Sequence, residues 1–258
     1  MRKLPILIVV LALAAVSQQP QPPVELTSEP SHHQVLDNAF VRVFAVTIDP
    51  GKSTLMHRHG HDYLTVSIGD AQIMNAKEGA QPAPVTFKDG DVRFAPSGVV
   101  HAVTNTGSTQ FRNATIELLG PTTNQKACAE ACSVSVPCDS ADKAACVTVN
   151  KVFTADQWTA TLVTLPPGAK YAQHAHPGNF LVVSLTDGDV TMKSQGQPDV
   201  PTHPKTGAVT WNNPVVHTVT NTGKTTAKTV VLEFKGQPSG GGSQSASARD
   251  ALKSQDHK

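Results

Sequence analysis

Almost nothing in this sequence reads as helix, because no stretch of its 258 residues sustains apolar residues at helical spacing for several turns. A helical bundle is thereby excluded. A surplus of charge is also lacking, with 21 Lys and Arg against 20 Asp and Glu. That balance makes no field to draw in nucleic acid or an anionic membrane, and neither is expected as a partner. Aromatic residues are scarce, at 5%. Their scarcity argues against stacking platforms for carbohydrate, although Trp158 and Trp211 are available. Long apolar runs are missing except at the start, where Arg2 and Lys3 lead a run from about Leu4 to Val16. The run is short for a membrane span, and the small residues Ala15 and Ser17 sit where a signal peptidase would act. Residues 1–17 are therefore expected to be a signal peptide, with the mature protein exported to the periplasm or beyond and no membrane contact left after cleavage.

Cysteine is sparse too, and all four residues, Cys128, Cys132, Cys138 and Cys146, fall in one short stretch. In an exported chain an even, clustered count suggests two structural disulfides, with a four-cysteine zinc site as the competing reading. The segment KACAEA around Cys128 is rich in helix formers, so Cys128 and Cys132 could share a helical face. Both would then pair forward with Cys138 and Cys146, in an order the sequence leaves open.

What the chain does have is a phrase written twice. VVHAVTNTG runs from Val99 to Gly107 and VVHTVTNTG from Val215 to Gly223, each preceded by a His-x-His pair, His57/His59 and His174/His176. A repeat of this length means one structural unit used twice, each with three histidines in matching places. Around these phrases lie short β-branched runs such as FVRVFAVTI, YLTVSI and FLVVSL, broken by PG, GD, DG and TG turns. That pattern indicates an all-β sandwich or barrel for each unit. The organisation expected is an extended Pro- and Gln-rich lead-in over 18–32, a first barrel over 33–122 and a stapled connector over 123–147. A second barrel over 148–236 and a polar, disordered Gly/Ser-rich tail over 237–258 would follow, with a weakly signalled helix near Ala248 to Lys253.

The first unit reads Gly51-x5-His57-x-His59 and then Gly90-x5-Pro96-x-Gly98-x2-His101-x3-Asn105. This resembles the two sequence motifs of the cupin superfamily. The second unit keeps Gly168-x5-His174-x-His176 and His217-x3-Asn221, with Asn212 in the proline place and Pro214 in the glycine place. The resemblance implies a bicupin: two jelly-roll (double-stranded β-helix) barrels, each holding a metal among His57, His59 and His101 or His174, His176 and His217. Strand geometry agrees, since residues two apart face the same way. Three neutral imidazoles suit Fe, Zn, Ni, Cu or Mn better than Mg or Ca, and they leave positions open for a small-molecule ligand. Homo-oligomerisation is left open.

The chain departs from the family where most metal-bearing cupins carry a glutamate after the His-x-His pair. Tyr63 and Leu64, or Phe180 and Leu181, stand there instead. That puts glutamate-dependent reactions such as oxalate decarboxylation in doubt, while oxygenase, hydrolase, lyase or isomerase chemistry at a three-histidine centre stays open. His61 and Asp62 could add donors, or simply form a hydrated loop. Glu117 and Glu233 occupy matching places in the two final strands and could reach a metal, but an outward, solvated carboxylate is the expected placement. Arg93 could hold a substrate carboxylate; its plainer reading is an outward residue on a half-exposed strand. Tyr63 could act as acid, base or hydrogen-bond donor; its plainer reading is a core filler matched by Phe180. With its intact second motif, the first unit is the expected seat of any chemistry. A binding or storage module and a bare scaffold are the competing functions.

Overall fold

A computed structural model describes residues 22–128, 133–138 and 141–236. The expected signal peptide, Cys132 and the tail lie outside the described residues. In the first half, the strands are β1 (Val24–Glu25), β2 (His32–Asp37), β3 (Val41–Ile48), β4 (His57–Arg58), β5 (Asp62–Ser67), β6 (Ala71–Lys77), β7 (Ala83–Phe87), β8 (Val92–Ala95), β9 (Val100–Asn105) and β10 (Phe111–Leu118). The connector contributes β11 (Lys126–Ala127) and β12 (Ser133–Val134). The second half holds β13 (Thr148–Thr154), β14 (Trp158–Leu165), β15 (Lys170–His176), β16 (Phe180–Ser184), β17 (Val190–Ser194), β18 (Val200–Thr202), β19 (Val209–Asn212), β20 (Val215–Asn221) and β21 (Ala227–Phe234).

Each half folds into two facing sheets. In the first barrel they run β1-β4-β9-β6-β7 and β2-β3-β10-β5-β8; in the second, β11-β13-β14-β21-β16-β19 and β15-β20-β17-β18. Within the stretch read as a lead-in, Val24 and Glu25 pair in parallel with His57 and Arg58, and Leu26 and Glu29 are buried.

Several strands are apolar on both faces, which tells where they sit. Along β3, Phe44, Val46 and Ile48 fill the first barrel with Phe87, Val103 and Phe111. Val41 and Val43 face the other way, into a cluster with Leu64, Ile116, Trp158, Leu181 and Leu232 from both halves. The two barrels thus pack sheet to sheet and share one core. At the seam, Lys228 Nζ lies 2.7 Å from Asp89 Oδ2, and Arg112 donates to the Thr206 carbonyl oxygen at 3.0 Å. Gly90, in the left-handed region at φ +84°, meets the partner barrel so closely that a Cβ would stand 3.0 Å from Leu185 Cδ1. A side chain here would be strained twice over.

The connector corrects the expected cysteine pairing. Cys138 bonds to Cys146, with Cα atoms 5.6 Å apart, so neither is available to a forward partner of Cys128. Lys126–Ala127 is also not helical: it pairs antiparallel with Thr154 and Phe153. Edge pairing satisfies backbone groups that a helix this short could not. Among the described residues no helix is long and apolar enough to cross a membrane.

Candidate metal centres in the two barrels

The His-x-His pair of the first barrel enters at β4, where His57 pairs directly with His101 on β9. His59 extends the ladder beyond β4, its N–H donating to the Val99 carbonyl oxygen and its own carbonyl oxygen accepting from the Gly98 N–H. This register brings together the three histidines the sequence singled out: their nearest ring nitrogens all lie within 4.8 Å of one another. His57 Nδ1–H donates to the Leu55 carbonyl oxygen at 2.8 Å. A carbonyl can only accept, so neutral His57 presents its Nε2 lone pair, and that atom is buried without a partner among the described residues. His101 is held likewise through Nδ1 to Asn75 Oδ1 at 2.9 Å, and its Nε2 lies 3.1 Å from His59 Nε2. Orphaned, converging lone pairs are what a cation would satisfy.

Burial keeps these rings uncharged in the absence of metal. Desolvation, then the neighbouring His32, pushes the His57 imidazole down to about 4. Desolvation and the neighbouring His101 push His59 down to about 2, and desolvation with His57 takes His101 to about 3. Three histidines poised neutral are competent ligands at neutral pH.

The second barrel repeats the arrangement in a more open form. His174 pairs with His217, their Nε2 atoms 3.0 Å apart, and His174 Nδ1–H donates to the Ala172 carbonyl oxygen at 2.9 Å. Burial again leads in lowering both, His217 to about 4. His176 completes the triad, its Nδ1 3.3 Å from Glu233 Oε2. Here β15 lies at the edge of its sheet, and His174 and His176 are half-buried.

Glu117 and Glu233 do not point outward as expected. Glu117 is 2% exposed, and Glu233 turns to His176. The reason is the shared core: Ala114, Ile116 and Leu118 take the outer face of β10 against the other barrel, so the alternation turns Glu117 inward. Glu117 does not reach the triad; its Oε2 lies 3.5 Å from Arg42 and 3.6 Å from His61. His59 Nδ1, the counterpart of the nitrogen that Glu233 engages, has no partner among the described residues.

The other candidates divide. Tyr63 is buried and stacks on His59, with centroids 3.7 Å apart and planes at 10°, as Phe180 stacks on His176. Burial raises its hydroxyl well above the usual tyrosine range. Asp62 is spent on the Ser97 N–H at 2.8 Å, away from the triad. Arg93 lines the cavity beneath the triad but is engaged locally, over the Phe87 ring at 4.1 Å and on the Thr86 carbonyl oxygen. That cavity, about 280 Å³, is walled by Ile73, Val85, Phe87 and Phe111 and carries Asn113 and Thr115 as polar points. Asn105 and Asn221 are not ligands: both tie a loop, each donating twice to carbonyl oxygens and accepting from the glycine two residues on.

Sequence reasoning missed three residues. Asn75 orients His101, and the buried pair Glu29 and His32 lies against His57, the His32 and His57 ring centroids 4.8 Å apart. Their only trace in the sequence is a histidine doublet, His32-His33, ahead of the first repeat and without a counterpart in the second.

Two jelly-roll barrels, each closing around a histidine triad, define a bicupin, and the chain belongs to the cupin family. Among curated proteins it is 39% identical over 71 residues to the Pseudomonas aeruginosa beta-alanine degradation protein BauB, covering 27% of this chain and 73% of that one. AerE from Microcystis aeruginosa superposes with a TM-score of 0.53 at 12% identity, over 81% of this chain and 99% of that one. A Bacillus subtilis oxalate decarboxylase studied for its Mn(II) centres gives 0.52 at 13% identity, over 76% and 69% of the respective chains. No family model matches the chain.

Proposed function

We propose that this protein is an exported bicupin that binds a divalent transition metal in each barrel and uses the first as a catalytic centre on a small molecule. The observation that carries the reading is the buried, unpartnered His57 Nε2, converging with His59 and His101 on one point above a cavity of about 280 Å³. A bound ion would supply Lewis-acid polarisation of a substrate oxygen. The chain's own residues do the rest. Leu55 and Asn75 fix the tautomers of His57 and His101, so both offer Nε2. Tyr63 holds the plane of His59 by stacking. The wall of Ile73, Val85 and Phe87 excludes water from a substrate, which Asn113 and Thr115 would orient. The size of the space and the small-molecule roles named for BauB and oxalate decarboxylase support a small, oxygen-bearing substrate. The Cys138–Cys146 disulfide supports export, since such bonds persist in oxidising compartments.

The second barrel serves as a metal-binding partner rather than a second active centre; the half-exposed His174 and His176 favour this division. The test is metal analysis of untagged protein with an anomalous-scattering map. Ions in both barrels are expected, and His57→Ala with His101→Ala should empty the first barrel alone. A protein that takes up no metal even after reconstitution refutes the reading. Oxygen uptake and turnover of small carboxylic acids and diketones then separate enzyme from binder.

A further inference from the structure

Resting on the metal-binding reading, we infer that Glu29 and His32, from the segment ahead of the first repeat, complete the first barrel's metal centre. In this role Glu29 supplies the negative charge missing after the His-x-His pair and both residues position His57.

Four observations converge on this. Glu29 is only 3% exposed, and its carboxylate is fully engaged, accepting from His32 Nδ1 at 2.6 Å, the Ser31 N–H at 2.9 Å and the Leu55 N–H at 3.1 Å. Burial opposes its ionisation, but the bonds from His32, Leu55 and Ser31 outweigh it and hold the carboxyl below its usual range, so Glu29 is an anion. Second, Leu55 is bonded on both sides: its N–H is held by Glu29, and its carbonyl oxygen accepts from His57 Nδ1. The carboxylate therefore fixes the peptide that fixes the tautomer of His57. Third, His32 lines the triad's cavity, its ring tilted 56° against that of His57. Fourth, β1 flanks the two-residue β4 in parallel, with the Val24 N–H donating to the Met56 carbonyl oxygen at 2.9 Å. Without that cover β4 would be a sheet edge, as β15 is in the second barrel.

His57 and His59 are 0% and 1% exposed, whereas His174 and His176 are half-buried. In the second barrel a carboxylate meets the triad directly, Glu233 on His176; in the first, the matching Glu117 is turned to Arg42 and His61. Three neutral histidines leave a divalent charge uncompensated, and a buried carboxylate near the site attracts the cation through a medium that screens poorly. Each barrel thus keeps one carboxylate close to its triad, from a different element.

The test uses the full chain carrying His174→Ala and His217→Ala, so that only the first barrel binds. Zn(II) affinity is read by chelator competition, and Co(II) absorption reports the ligand field. Glu29→Gln, which keeps the shape and removes the charge, is expected to weaken Zn(II) binding by roughly 10- to 100-fold and to shift the Co(II) spectrum. Glu29→Asp should recover part of the affinity. Asp199→Asn, at an exposed carboxylate of the second barrel paired with Lys193, should change nothing in the same background. If Glu29→Gln alters the metal-free melting temperature, His32→Gln, which leaves the carboxylate in place, carries the comparison through the Co(II) spectrum. Zn(II) affinity within twofold of the parent and an unshifted spectrum in these variants overturn the inference while leaving metal binding intact. A parent chain that binds no metal overturns the metal reading itself, and this inference with it.

Discussion

Stripping the metal should make this protein acid-sensitive well above the range where carboxylates titrate. In the metal-free folded state His57, His59 and His101 hold off protonation to about 4, 2 and 3. In the unfolded chain each titrates near the ordinary value of about 6.5. Below that pH the unfolded state binds more protons than the folded one, so stability falls as pH falls; above it the contribution is flat. Each such histidine costs about 1.4 kcal/mol of stability at pH 5.5 relative to neutral pH, or about 4 kcal/mol for the three. That is a large fraction of the ~5–15 kcal/mol that holds a typical domain. Urea denaturation in the presence of chelator at about pH 7.5 and 5.5, followed by near-ultraviolet circular dichroism, reads the difference as a fall in midpoint. His59→Leu, which cannot take up a proton, should reduce the drop by about a third. A midpoint that is unchanged or rises toward acid would refute the claim that these rings are buried and neutral.

Because the barrels share one core, Ile116→Ala or Leu232→Ala, both essentially fully buried in it, should cost about 2–5 kcal/mol. Either change should lower the unfolding temperature of both halves together by calorimetry; an effect confined to one half would contradict a common core. Tyr63→Phe keeps the ring on His59 and should leave metal affinity of the first barrel unchanged while revealing, through kcat alone, any role of the hydroxyl. Tyr63→Leu removes the stack and should weaken binding, by an amount near the ~0.5–1.5 kcal/mol of an aromatic pair. Gly178→Ala would place a Cβ 1.8 Å from the Phe234 carbonyl oxygen, so the backbone must move; a melting temperature lowered by several degrees is expected, and an unchanged one would mean this approach is not tight.

The reach of sequence reasoning here followed the range of the interactions. Strand alternation and the duplicated His-x-His and VVH phrases are local, and they sufficed to nominate the six histidines that long-range strand pairing brings into two triads. The placement of Glu117 was misread because alternation reports which residues share a face, not what that face meets. The outer face of β10 meets another barrel instead of water, and only the docking of the two halves shows it. The Cys138–Cys146 pairing was beyond spacing for a related reason: connectivity depends on which thiols the folded connector brings together.

By itself, then, the sequence determined that this is a duplicated all-β chain with three imidazoles per unit, because period-two patterning and matched residues are properties of neighbours along the chain. The tertiary structure alone decided which barrel is sealed, which carboxylate stands by each triad and why Glu29 and His32 belong to the first site. Those facts come from contacts between segments far apart in sequence, whose formation depends on which surfaces are left to bury once the strands have paired.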